Sequence, residues 1–207
     1  MNTALLLLTG YLIGSISFTY FVTRLVKGID IRTVGSGNAG GRNVMIHIGL
    51  GWGILAGGLD VGKGALAAWL GLALGGNATM GVLAGLMAVL GHNYPFYLGF
   101  RGGKGVGASL GALLVLMPVE TLIGAAVLVV LYFLITHSIA FSSGIGFLSI
   151  SAMAYLWGRP TWLVTAPILC LLIGILTTLP EAVRMWAGAE DKRDLILKRW
   201  LTDKKER

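Results

Sequence analysis

The chain has a single cysteine, Cys170, and that scarcity removes two classes of protein at once. One thiol builds neither a disulfide framework nor a cysteine-rich metal site, and inside an apolar run it reads as a small packing residue. Histidine is nearly as sparse. His47, His92 and His137 show no His-x3-His spacing, so no metal is expected. Charge is scarce as well: 12% of the 207 residues are Asp, Glu, Lys or Arg, against 56% apolar residues and a mean hydropathy of +0.81. That composition excludes an ordinary soluble domain. No internal repeat of fixed period is evident, which argues against a solenoid or an array. The first apolar run, about 3–23, lacks a basic region ahead of it and is too long for a signal-peptide core, so it is expected to stay as a membrane helix. What remains is an all-α integral membrane protein, with 32 glycines suited to close helix packing in lipid.

Divided at charges and at Gly, Pro and Asn turns, the apolar sequence predicts seven spans near 3–24, 50–75, 79–98, 104–119, 121–137, 140–157 and 161–182. Their lengths cluster around the ~20 residues that cross a bilayer. Orientation follows from the cations. Placing the N-terminus outside puts every Lys and Arg of the sixteen on the inner side except Arg159. The C-terminus is then cytoplasmic, and the glycine-rich connections face inward. Residues 1–189 are expected to form the membrane domain. The tail 190–207 alternates charges with Leu195, Ile196, Leu197, Trp200 and Leu201, a pattern that suits an amphipathic helix on the inner membrane surface or, alternatively, a solvated tail.

Two of the inner connections have the makings of ligand sites. From Gly91 to Gly107 the sequence reads Gly-His-Asn-Tyr-Pro-Phe-Tyr-Leu-Gly-Phe-Arg-Gly-Gly-Lys-Gly-Val-Gly. Glycines let several backbone N–H groups converge on one guest, a helix start favours an anion, and Arg101 and Lys104 add full charge, so the natural guest is a phosphate; alternatively, the glycines only make a tight turn and the cations mark the cytoplasmic face. The spacing is not that of a Walker A loop, whose Lys precedes Ser or Thr. The earlier connection, from Asp30 to Asn43, sets Ser36, Asn38 and Arg42 among glycines as a second anion or polyol cradle. Backbone that irregular is tolerated near a membrane only when it is buried in protein or lines a wet cavity. Asp60 and Lys63 are three residues apart on one predicted helix face, as an ion pair fixing that helix or, alternatively, as a phosphate-neutralising Lys positioned by its Asp. Of the three histidines, His92 is singled out by its place in the glycine-rich turn.

Together, Gly-Ser-Gly-Asn-x-Gly at 35–40, Leu-Asp-x-x-Lys-Gly at 59–64 and the run from His92 to Val106 resemble the PlsY family over roughly residues 5–190. Those are bacterial inner-membrane acyltransferases that move an acyl chain from acyl phosphate to the 1-position of glycerol 3-phosphate, giving lysophosphatidic acid. The resemblance implies a seven-span fold with the N-terminus outside. It implies Ser36, His92 and Lys104 as catalytic residues, and Asn38, Arg42, Asp60, Lys63, Arg101, Gly102, Gly103 and Gly105 as substrate-binding ones. It implies acyl phosphate, glycerol 3-phosphate and membrane lipid as partners, with no cofactor, metal or nucleic acid. Three departures stand out. Arg42 replaces a Thr, Ile46 replaces an Arg, and Thr178, Leu179 and Glu181 occupy a third motif that in the family reads His-Arg-x-Asn. Two readings therefore remain open: an acyltransferase, or a non-catalytic membrane subunit that keeps a phosphate or lipid-headgroup site. A transporter lacks support, since midplane charges and paired half-helices are not evident.

Overall fold

The computed structural model describes residues 2–187, and the expected amphipathic tail, 190–207, lies outside them. Among the described residues all regular structure is helical. The chain divides by its contacts into two compact units, Met1–Leu116 and Met117–Arg207.

The first unit begins with α1 (Thr3–Ser15) and α2 (Phe18–Lys27), followed by a 3-10 turn at Ile31–Thr33, α3 (Gly41–His47), α4 (Leu50–Gly75), α5 (Ala78–Asn93), a second 3-10 turn at Phe96–Leu98 and α6 (Val106–Leu116). Local chemistry sets several of these boundaries. Asn2 and Asn77 each cap a helix, their Oδ1 atoms accepting from Ala4 N at 2.9 Å and Met80 N at 3.0 Å. Asp30 does the same for the first 3-10 turn, accepting from Arg32 N at 3.0 Å.

Helix α4 is the centre of this unit and contacts α1, α2, α3, α5 and α6. Its buried positions, Gly53, Ala56, Asp60, Lys63, Gly64, Ala67 and Gly71, recur every three or four residues and form one face. The face is built of small residues because lipid offers no hydrophobic drive for helices to associate, so stability comes from backbones approaching closely. A Cβ added at Gly64 would run into the Ala108 carbonyl of α6, and one at Gly111 into the Val61 carbonyl of α4. Gly14 of α1 abuts Ala88 of α5 in the same way.

The second unit comprises α7 (Pro118–Leu131), a π-helical turn at Tyr132–Thr136, α8 (Ile139–Leu156) and α9 (Thr161–Ala187). Here α8 packs on both α7 and α9, with Gly124 set against Ile150 and Gly146. Arg159 donates from Nε to Glu120 Oε1 at 2.6 Å, tying the first turn of α7 to the α8–α9 connection.

Four helical stretches are long and apolar enough to cross a membrane by length and composition: Thr3–Lys27, Pro118–Thr136, Ile139–Leu156 and Thr161–Pro180. Several of the expected spans differ in detail: the third ends at Asn93, before a separate 3-10 turn at Phe96–Leu98. The first is interrupted between Ser15 and Phe18, and the fourth is shortened to Val106–Leu116 because Gly105, at φ +81°, precedes the helix and Pro118 opens the next one. Helix α4 is 26 residues long, and Asp60 and Lys63 dilute its apolar character at mid-length.

Candidate active site

The first inner loop is folded around one amide. Asn43, 5% exposed, brings the two N–H bonds of Nδ2 to the carbonyls of Ile31 (3.1 Å), Val34 (3.0 Å) and Asn38 (3.1 Å), one N–H being shared between two of them, while its Oδ1 accepts from Ser36 N at 3.3 Å. A loop of that length has many backbone carbonyls that no ladder satisfies, and a buried amide serving three of them holds the shape. Ser36 Oγ accepts from Asn38 N at 3.4 Å and remains exposed. Asp30 and Arg32 pair at 2.7 Å, and Arg32 reaches across to donate to Leu98 O at 2.6 Å. The Arg32 guanidinium, hydrogen-bonded to Asp30, holds that carboxyl below the usual carboxylate range.

The glycine-rich loop folds back on the end of α5. Gly102 N donates to Asn93 O at 3.0 Å and Gly103 N to His92 O at 3.1 Å. Gly103 has no room for a side chain, since a Cβ there would occupy the place of His92 Nε2. After Gly105 the chain enters α6, and Gly105 O accepts from Ser109 N at 2.8 Å. Arg101 is exposed and Lys104 half-buried; neither forms an ion pair with any described residue, so both charges remain available to an anion beside the start of α6.

The two loops touch. Ala39 N donates to Gly102 O at 3.4 Å, and Thr19 Oγ1 of α2 donates to Ala39 O at 2.9 Å. Behind them lies a buried charged cluster. Asp60 and Lys63, 3% and 4% exposed, pair at 2.9 Å, and His92 Nδ1 lies 3.5 Å from the same carboxylate oxygen, Asp60 Oδ1. That last distance is a close contact rather than a hydrogen bond. Catalytic contacts are often this loose before substrate arrives.

Of the residues expected from sequence, His92, Gly102, Gly103, Gly105, Asp60 and Lys63 thus converge at the end of α5. Ser36, Asn38 and Arg42 lie on the partner loop that meets it through Ala39. Asp60 and Lys63 adopt the ion-pair arrangement. In the second unit, Thr178 donates back to its own helix, to Gly174 O at 3.2 Å and Ile175 O at 3.0 Å, and Leu179 is exposed. Sequence reasoning missed Asn43, Thr19 and Tyr97, whose hydroxyl donates to Ser15 O and accepts from Ser17 N, each at 2.9 Å. Asn43 carried a faint signal, an amide closing a glycine-rich loop; Thr19 and Tyr97 carried none.

A family model described as glycerol-3-phosphate acyltransferase matches residues 4–188. A relative from Dehalococcoides mccartyi, named glycerol-3-phosphate acyltransferase 1, is 39% identical over 201 residues, covering 94% of this chain and 96% of its own. Another of that name from Deinococcus radiodurans is 42% identical over 161 residues, covering 77% and 80%. Among solved structures, the glycerol 3-phosphate form of PlsY, described as an integral membrane glycerol 3-phosphate acyltransferase, superposes with a TM-score of 0.80 at 31% identity, covering 92% of this chain and 95% of that one. Its lysophosphatidic acid form gives 0.79 at 29% identity.

Proposed function

The chain belongs to the glycerol-3-phosphate acyltransferase family, and on that premise we propose that it takes an acyl group from acyl phosphate and places it on the 1-position of glycerol 3-phosphate. It is an integral membrane acyltransferase of phospholipid biosynthesis, with glycerol 3-phosphate as substrate and lysophosphatidic acid as product. The observation that carries the choice of residues is the meeting of two glycine-rich loops at Ala39 and Gly102, with the two cations of the second loop unpaired among the described residues.

Both substrates are phosphates. Lys104, Arg101 and Arg42 supply charge, and the backbone N–H groups of Lys104 and Gly105, which follow the two spent on Asn93 O and His92 O, supply oriented dipoles at the start of α6. Ser36 and Asn38 offer a hydroxyl and an amide to the glycerol part. The glycerol hydroxyl oxygen attacks the acyl carbonyl carbon, the new ester C–O bond forms, the bond from that carbon to the phosphate oxygen breaks, and inorganic phosphate departs. The hydroxyl proton passes to the substrate's own phosphate or to His92, whose Nδ1 lies beside Asp60. Since phosphate is a good leaving group, holding the two substrates together and neutralising their charge accounts for much of the rate. Asp60 and Lys63 stand behind the loops in this scheme.

The seven-pass arrangement in a bacterial inner membrane, N-terminus outside and loops in the cytoplasm, is part of the same proposal and is supported by the cations outside the helix interiors, which fall on one side of such an arrangement except Arg159. Relatives bearing the acyltransferase name along most of the chain do not favour the binding-only alternative. The test is purified protein with acyl phosphate and glycerol 3-phosphate. Lysophosphatidic acid and equimolar inorganic phosphate are expected; binding of either substrate without product would overturn the enzymatic reading.

A further inference from the structure

The break between α1 and α2 leaves backbone groups that no helix satisfies. In a membrane segment such groups must find partners within the protein. Three of them are taken up by side chains from elsewhere in the fold. Tyr97, next to the glycine-rich loop, donates from its hydroxyl to Ser15 O at 2.9 Å and accepts from Ser17 N at 2.9 Å. Lys63, from the middle of α4, donates to Ile16 O at 2.6 Å. The Lys63 ammonium also pairs with Asp60 and lies 5.9 Å from the centre of the Phe18 ring, the first residue of α2. Its charge is engaged by these contacts and it is 4% exposed.

What the break governs is the direction in which α2 leaves. One turn on, Thr19 holds Ala39 O, and Ala39 N holds Gly102 O. The path from Lys63 to the meeting point of the two loops therefore has three hydrogen bonds, Lys63 to Ile16 O, Thr19 to Ala39 O and Ala39 N to Gly102 O, with the short run of chain from Ile16 to Thr19 between the first two. On its other side Lys63 shares the Asp60 oxygen that faces His92. One buried ammonium thus bears on the first loop through the break and on the glycine-rich loop through Asp60.

We propose that Lys63 is a positioning residue for acyl transfer, pinning the Ile16 carbonyl at the break so that α2 delivers the first loop in register with the glycine-rich loop. The proposal rests on the acyltransferase reading above and assigns Lys63 a role without substrate contact. A phosphate ligand, when removed, raises KM for the phosphate compound. A clamp, when removed, leaves each loop able to bind but misplaces one bound group relative to the other, and misplacement of about an ångström costs roughly 100-fold in turnover.

The test is kinetics on the full-length protein in lipid, with Lys63→Met, Lys63→Arg, Thr19→Val and the Lys63→Met/Thr19→Val double variant, each beside its melting temperature. Lys63→Met is expected to lower kcat at least tenfold while KM for glycerol 3-phosphate changes less than threefold, and Lys63→Arg, which keeps a charged donor, to recover part of kcat. Because Thr19 lies on the same path, the two losses are expected to be non-additive. A raised KM with kcat intact, or losses that multiply, would overturn the clamp. Should Lys63→Met not fold, Thr19→Val decides alone: it is nearly isosteric and removes the bond to Ala39, so an unchanged kcat overturns the proposal and a lowered kcat with unchanged melting supports it. A wild type without acyl transfer overturns the acyltransferase reading first, and this inference with it.

Discussion

At the scale of single residues, the site separates charges already engaged from charges held ready. Lys63, Asp60, Arg32 and Asp30 are paired, whereas Lys104 sits half-buried without an ion pair among the described residues. Lys104→Ala is therefore expected to weaken glycerol 3-phosphate binding by about 1–3 kcal/mol, the range for a charge-assisted hydrogen bond. Titration calorimetry on the variant checks this, and undiminished affinity would remove Lys104 from the site. The Asp30–Arg32 pair makes a pH prediction of definite sign. The folded carboxyl titrates below its ordinary value, so the stability it contributes is present above the unfolded value of roughly 3.9 and is lost only as pH falls through the lower folded one. Asp30→Asn should accordingly melt below the wild type at pH 7, and the gap should narrow only in strong acid. A gap that closes near pH 6 would mean another group is responsible.

At the scale of helices, glycine marks where backbones meet. A methyl at Gly111 would collide with the Val61 carbonyl, while one at Gly62, on the same α4 but the other face, meets nothing within 4 Å. Gly111→Ala is predicted to destabilise by roughly 1–3 kcal/mol through overpacking. Gly62→Ala should be neutral or stabilising by up to about 1 kcal/mol, since Ala is the better helix former. Thermal unfolding in one detergent distinguishes the pair; equal effects would mean that α4 and α6 do not meet as described. The broken first span belongs to this scale too. Its cost is offset by Tyr97 and Lys63, and the return is an α2 whose Thr19 reaches the first loop.

At the scale of the whole molecule, the asymmetry of cations makes a topological prediction. Single cysteines introduced at positions 36 and 207 into a Cys170→Ser background should be labelled by an impermeant reagent only from the cytoplasmic side. Labelling of either position in intact cells would overturn the orientation.

The sequence alone determined the class of the protein. Apolar runs interrupted by glycine and cations admit few arrangements in a bilayer, and a loop such as Gly-Gly-Lys-Gly is a candidate for anion binding only beside the other two motifs. Thr19 and Tyr97 were not legible in that way, and Lys63 was legible as the partner of Asp60 but not as a donor to the break. Their roles follow from what lies opposite: a carbonyl at a helix break 47 residues from Lys63, or a backbone amide 80 residues from Tyr97. The three-residue spacing of Asp60 and Lys63 predicted their ion pair, but not that the pair would hold up the break in the first helix. Local pattern fixes a residue's own helix and face, whereas a backbone group left open by a break is satisfied by whichever side chain the fold brings within 3 Å, and only the packing of α1, α4 and α5 decides that.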